Sequence, residues 1–208
     1  MKTMFSSMSW SLNFTKEEEK MADFSIAYAR TAENEGGYAN HIGDRGGETF
    51  HGIARKYWPM WKGWELIDAH RSKFPREIHS PSSWRKVDKI LEAEPRLKEL
   101  VRRFYLVNFW DDIEGDRIKS QEVANILYDW AVNSGEGSPA KSVQRIVGAK
   151  VDGDIGPATA AKINAYPAQE SLQTLLRTER VKMVREIVRR DPSQGVFLDG
   201  WIERAQNA

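Results

Sequence analysis

The chain has 208 residues and no cysteine, and its 31 Lys and Arg face 30 Asp and Glu for a net charge of +1. A disulfide framework, a thiolate metal centre and a Cys nucleophile are thereby excluded, and the balanced charge gives no general pull toward nucleic acid or anionic lipid. Hydrophobic residues at 40% and charged residues at 29% are ordinary globular composition, at a length that allows one large domain or two small ones.

Residues 1–14 are rich in Ser and Met and read as a loose lead-in. They lack the continuous apolar core of a signal peptide, and no apolar run is long enough to span a bilayer. Thr15-Lys16-Glu17-Glu18 has the form of a capping box, so the first helix is predicted to start there. Met21, Phe24, Ala27, Tyr28 and Thr31 recur at spacings of three and four and give that helix a core-facing stripe up to Glu35. Gly36-Gly37 must stop it, because glycine takes the left-handed conformation at little cost. Glu35 then sits at a helix C-terminus, where the partial negative charge and any burial both push a carboxyl pKa upward. A carboxyl held protonated near neutral pH is a general acid.

Six glycines fall between Gly36 and Gly52, predicting irregular chain or a short β-hairpin whose backbone can approach a ligand closely. Ile53 to Trp58 reads as a helical turn closed by Pro59. Trp58, Trp61 and Trp64 follow within seven residues, and at least two should fill a core corner. Val87, Ile90 and Leu91 begin a helix that Pro95 interrupts, and Leu97, Val101 and Phe104 continue the stripe, giving a helix pair or one kinked helix. Asp111 to Asp116 is an acidic connection without the ligand alternation of a calcium loop, and it reads as a solvated turn and lobe boundary.

Ser120 can cap a helix through Val123, Ile126, Leu127 and Trp130 that ends at Asn133-Ser134-Gly135, with Asp129 and Asn133 on one face. Ser138-Pro139 opens another, stopped at Gly148, and Pro157 opens the next after the turn at Asp152-Gly153-Asp154. Leu172, Leu176, Met183, Val184 and Ile187 mark a long amphipathic helix broken by Asp191-Pro192. Helix signals outnumber strand signals throughout, so the fold class is mainly α. His41, His51, His70 and His79 lack metal-ligand spacing, and no Gly-x-Ser-x-Gly elbow offers a serine nucleophile.

Glu35-Gly36-Gly37-Tyr38 followed by Asp44-x-Gly46-Gly47-x-Thr49-x-x-Gly52-Ile53 resembles the glycoside hydrolase family 108 muramidases. The likeness continues in Asp129-Trp130-Ala131-Val132-Asn133-Ser134-Gly135 and in the closing element Phe197-x-x-Gly200-Trp201-Ile202-x-Arg204. Val151-Asp152-Gly153-x-Ile155-Gly156-Pro157-x-Thr159 resembles predicted peptidoglycan-binding domains. Arg45 stands where the family usually has Pro, and Phe50-His51 where it often has an Asn-aromatic pair. The Glu, Asp and Thr spacing is also similar to that of phage-type lysozymes, with the Thr one place early.

The resemblance implies a lysozyme-like helical fold with a small Gly-rich loop or β-hairpin at the active site. It implies cleavage of the β-1,4 bond between N-acetylmuramic acid and N-acetylglucosamine in peptidoglycan. Glu35 would be the acid, with Asp44 and Thr49 orienting water on the opposite face of the sugar. Glu48 is the rival second carboxylate; in an alternating strand it and Thr49 point to opposite faces. Tyr38, Glu48, His51, Asp129 and Asn133 are candidate substrate contacts, Tyr38 being equally a core ring, and one of the tryptophans is a candidate to stack on a sugar. A catalytic lobe over residues 15–110 and a helical lobe with the peptidoglycan-binding motif over residues 111–208 are expected in one continuous globular unit.

No cofactor or metal is called for. The expected partner is bacterial peptidoglycan, with no nucleic acid and no integral membrane segment, for a monomer made in the cytoplasm and reaching the wall through a holin or dedicated export. A lytic transglycosylase, or a protein that only binds peptidoglycan in secretion or lysis, are the alternatives.

Overall fold

The computed structural model of the protein describes residues 20–32, 36–40 and 47–208, and the elements below are those among the described residues. Helix α1 spans Phe24–Ala32 and carries the expected stripe, with Phe24, Ala27 and Thr31 buried. It does not run on from Thr15: residues 20–23 are non-helical, and the capping box lies outside the described residues. Asp23 supplies the start instead, its Oδ1 accepting the Ser25 N–H at 2.6 Å.

Strands β1 (Tyr38–Asn40), β2 (Glu48–Phe50) and β3 (Ile53–Ala54) form an antiparallel sheet in that order. The helical turn expected from Ile53 starts one residue late: Ile53 and Ala54 pair as a strand, and the Ala54 carbonyl then accepts the Tyr57 and Trp58 N–H groups at 3.1 and 2.9 Å. The cause is the tight turn before it: His51 at φ +44° and Gly52 at φ +74° give the two left-handed positions that match hairpin twist, and Phe50 then pairs with Ile53. Of the three tryptophans, Trp64 is 2% exposed and Trp61 packs partly buried against the core, whereas Trp58 is 40% exposed.

Helices α2 (Gly63–Ala69), α3 (Pro81–Leu91) and α4 (Pro95–Tyr105) follow, the last two each opened by Pro and so forming a pair rather than one kinked rod. Leu106–Trp110 widens into a π-helical turn. The acidic connection after it is anchored rather than merely solvated. Ile113 is fully buried, the Trp110 indole N–H donates to Asp116 Oδ1 at 2.8 Å, and a Cβ on Gly115 would lie 2.2 Å from the Trp110 ring.

Helix α5 (Gln121–Ser134) is capped by Ser120 as expected and is buried without interruption from Val123 to Ala131. A helix buried on all sides must be wrapped by others, and α1, α6 (Gly137–Val147), α8 (Gln169–Arg190) and the π-helical turn pack around it. Asp23 meets Gln121 and Thr31 meets Asp129 at the same offset of 98 residues, so α1 and α5 run parallel. Helix α7 (Pro157–Asn164) bridges α6 to α8, and α9 (Leu198–Asn207) folds back along α8. The architecture is mainly α and lysozyme-like, with one small sheet.

Candidate active site

Glu35 and Asp44 lie outside the described residues, as does Glu33, a carboxylate two positions before Glu35; the frame that surrounds them in sequence is described. Helix α1 leads toward position 35, and β1 and β2 flank positions 41–46.

Cross-strand pairing of Tyr38 with Phe50 and Asn40 with Glu48 puts these four side chains on one face of the sheet. That face is the core side, with Tyr38 2% and Phe50 5% exposed. Glu48 is drawn in with them, its side chain 12% exposed. Its Oε1 accepts from the Tyr38 hydroxyl at 2.9 Å and pairs with Arg71, and its Oε2 pairs with Arg55 Nη1 at 3.0 Å. Both arginines also hold Asp68, Arg55 through Nη1 at 2.8 Å and Arg71 through Nε at 3.1 Å. The Arg55 guanidinium keeps the Asp68 carboxyl below the usual carboxylate range, and burial, then the neighbouring Glu48, pushes the Tyr38 hydroxyl up. Two acids, two guanidinium groups and a phenol thus interlock behind the sheet. Tyr38 is a core ring with its hydroxyl satisfied.

Thr49 points the other way, paired with Ala39 on one side and Ala54 on the other. Its hydroxyl lies 3.5 Å from the Ala39 carbonyl oxygen, too far for a firm bond. His51, at the β2–β3 turn, is tied by its backbone, its N–H donating to Gly37 O at 3.1 Å and its carbonyl accepting from the Tyr105 hydroxyl at 2.7 Å. Burial holds its imidazole pKa below the ordinary value.

Gly37 does not take the left-handed conformation expected of a helix stop, and what requires glycine there is a close approach. Asp88 on α3 accepts the Tyr38 N–H at 2.6 Å, so close that a Cβ on Gly37 would stand 2.4 Å from its Oδ1. Burial raises the Asp88 carboxyl pKa, and the Tyr38 N–H opposes the rise. This carboxylate fixes the entry to β1, and nothing in its local sequence announces it.

Asp129 and Asn133 face different surroundings. Asp129, 5% exposed, pairs with Arg180 at 2.7 Å and Arg204 at 2.9 Å and accepts from the Thr31 hydroxyl at 3.4 Å. It also borders a polar cavity of about 600 Å³ between α1, α5 and α9. The exposed Asn133 donates its amide to the Asp129 carbonyl at 2.6 Å, one turn back on its own helix. The ion-pairing partners Arg180 and Arg204 are far off in sequence; only the helical spacing of Asp129 hinted that it turned inward. Among the described residues no group of three or more His, Cys, Asp or Glu is arranged to hold a metal ion.

The Glycosyl hydrolase 108 family matches residues 28–135, and the Predicted Peptidoglycan domain matches residues 138–206. Among solved structures the chain is similar to SagA of Brucella abortus, at 23% identity and a TM-score of 0.58, over 88% of this chain and 90% of that one. At that identity the likeness is one of fold. No curated protein matches the sequence. With over half of its length in the first match and the second match adjoining it, the chain belongs to the Glycosyl hydrolase 108 family and is a peptidoglycan hydrolase of the muramidase type.

Proposed function

We propose that Glu35 protonates the glycosidic oxygen between N-acetylmuramic acid and N-acetylglucosamine while Asp44, with the Thr49 hydroxyl, orients the attacking water. The observation that carries this division of roles is the state of Glu48. Both of its oxygens are engaged by Tyr38, Arg55 and Arg71 on the core face, whereas Thr49 presents its hydroxyl on the opposite face. A carboxylate occupied by three donors is a poor orienter of water, which leaves Asp44 as the second acid of the matched region. Tyr38, Glu48 and Asp129 are correspondingly left out of the substrate contacts, and His51 and Asn133 are kept.

Turbidity clearing of purified cell walls by the wild-type protein and by Glu35→Gln tests the acid. Equal clearing by both would remove Glu35 from the role. The released end group separates hydrolysis from its nearest rival, since hydrolysis leaves a reducing sugar and a lytic transglycosylase leaves an anhydro sugar. A second carboxylate is needed only for the former, and Asp44 favours it.

The protein acts as a monomer on the wall side of the inner membrane and uses no nucleic acid partner. Among the described residues no helix is long and apolar enough to cross a membrane. Passage through a holin or a dedicated export system supplies the route; release by cells that lack both would overturn this part of the reading.

A further inference from the structure

A small pocket opens where the two matched regions meet, between the end of α5 and the α8–α9 pair. Its lining is apolar in Met183, Val184, Ile187 and Trp201 and polar in Asn133, Ser134, Arg180 and Arg204. Arg180 is the unusual member. It is 3% exposed, its Nη2 is fixed by Asp129 at 2.7 Å, and its Nη1 is buried with no hydrogen-bond partner among the described residues. A buried guanidinium donor left unmatched forfeits the hydrogen bonds it had in water and gains none in return. Such a group, held rigid by an ion pair beside a cavity, marks a place where a ligand oxygen can complete it.

The chemistry of the ligand follows from the walls. A guanidinium donor selects a carboxylate above neutral acceptors because the hydrogen bond is charge-assisted, and with Nη2 held by Asp129 it is Nη1 that Arg180 has left to give. The pocket holds about 130 Å³, similar to a cavity of ~150 Å³ that takes one benzene. That is room for a carboxylate and a short alkyl group lying on the Trp201 and Ile187 side, and not for a disaccharide. Phe197 stacks on Trp201 with ring centroids 5.7 Å apart and holds the indole in place.

We propose that this pocket binds a carboxylate carried beside a methyl group, the chemistry that peptidoglycan offers at the free alanyl end of its peptide stem and, where the stem has been removed, in the lactyl group of muramic acid. The inference rests on the peptidoglycan reading above. It adds a site for the acidic, peptide-bearing side of the polymer, placed between the glycosidase region and the peptidoglycan domain.

The test uses the full chain and follows the indole N–H signal of Trp201 in a proton–nitrogen spectrum, assigned with Trp201→Phe. The probes are N-acetyl-D-alanyl-D-alanine, its C-terminal amide, N-acetylmuramic acid and tri-N-acetylglucosamine. Saturable movement with the free dipeptide acid points to the stem as the source, and with N-acetylmuramic acid to the lactyl group. In either case the amide and the neutral trisaccharide should bind at least tenfold more weakly. Arg180→Lys, which keeps the charge and removes the fork, and Ser134→Phe, which fills the mouth from an exposed position, should each weaken binding about tenfold or more. Binding of the amide as tight as the acid, preference for the trisaccharide, no saturable movement at millimolar probe, or undiminished binding in a folded Ser134→Phe would each overturn the proposal. Wall clearing by the same wild-type preparation separates the two failures: clearing without acid binding sinks the pocket alone, and acid binding without clearing sinks the hydrolase reading alone.

Discussion

Replacing Asp129 by Asn removes an acidic group that Arg180 and Arg204 share while preserving its size. Asp129 and Arg180 are 5% and 3% exposed, so the lost charge is not replaced by water. Breaking one side of a buried pair costs about 3–5 kcal/mol. For a protein of this length each kcal/mol lowers the melting temperature by roughly 2–4 °C, so the variant should melt roughly 6–20 °C below the wild type. Far-UV circular dichroism at neutral pH measures this. Asp129→Leu combined with Arg180→Met should recover most of the loss, since a packed apolar pair is often as stable as a buried ionic one. Wall clearing, measured well below the variant's melting range, should change by no more than a few-fold. A fall of less than ~2 °C would refute the reasoning. So would unchanged melting with clearing abolished, which would return Asp129 to the substrate contacts.

The two candidates for second carboxylate should separate cleanly. Asp44→Asn should lower the clearing rate about 10²–10⁴-fold, the usual scale of an acid–base group, whereas Glu48→Gln should lower the melting temperature and leave most of the rate per folded molecule. The reverse pattern would hand the role to Glu48. Gly37→Ala should cost about 1–3 kcal/mol by overpacking against Asp88, read as a lower denaturation midpoint, and wild-type stability in that variant would show that the contact yields without cost. Asp68 has a folded pKa below its unfolded one, about 3.9. Its pairing with Arg55 and Arg71 therefore stabilises the fold above that pH and is lost as pH falls through the lower, folded value. Asp68→Asn should flatten the acid side of a melting-temperature profile, and an unaltered acid side would count against the interlocked network.

Where local chemistry decides structure, the sequence was readable. Ser120 before α5, Gly148 after α6 and Pro157 at the head of α7 each act through their own backbone or cap, and each lies where its type demanded. The alternation that separates Glu48 from Thr49 was equally legible, because strand geometry leaves no choice. The His51-Gly52 turn escaped because His is an uncommon first residue for it, and the Gly alone was the signal. Asp88, Arg71 and Arg180 escaped for another reason. Each matters through a partner more than twenty residues away, and periodicity records only which face a residue takes, not which charge it meets there. Glu35 and Asp44 were named from motif and helix position, and both lie outside the described residues.

The uninterrupted burial of α5 bears on how far this chain can be cut and recombined. Trp130 belongs to the glycosidase match, yet its indole N–H donates to the sulfur of Met183, inside the peptidoglycan match, at 3.4 Å. A fragment ending after Ser134 would bare a buried flank of that helix and strip Asp129 of both arginines, and a fragment beginning there would lose the surface on which α6 and α8 close. Grafting the C-terminal region onto another enzyme as a ready-made wall anchor should therefore yield an insoluble product unless α5 travels with it, so the transferable part begins at Ser120 rather than at the boundary between the two matches.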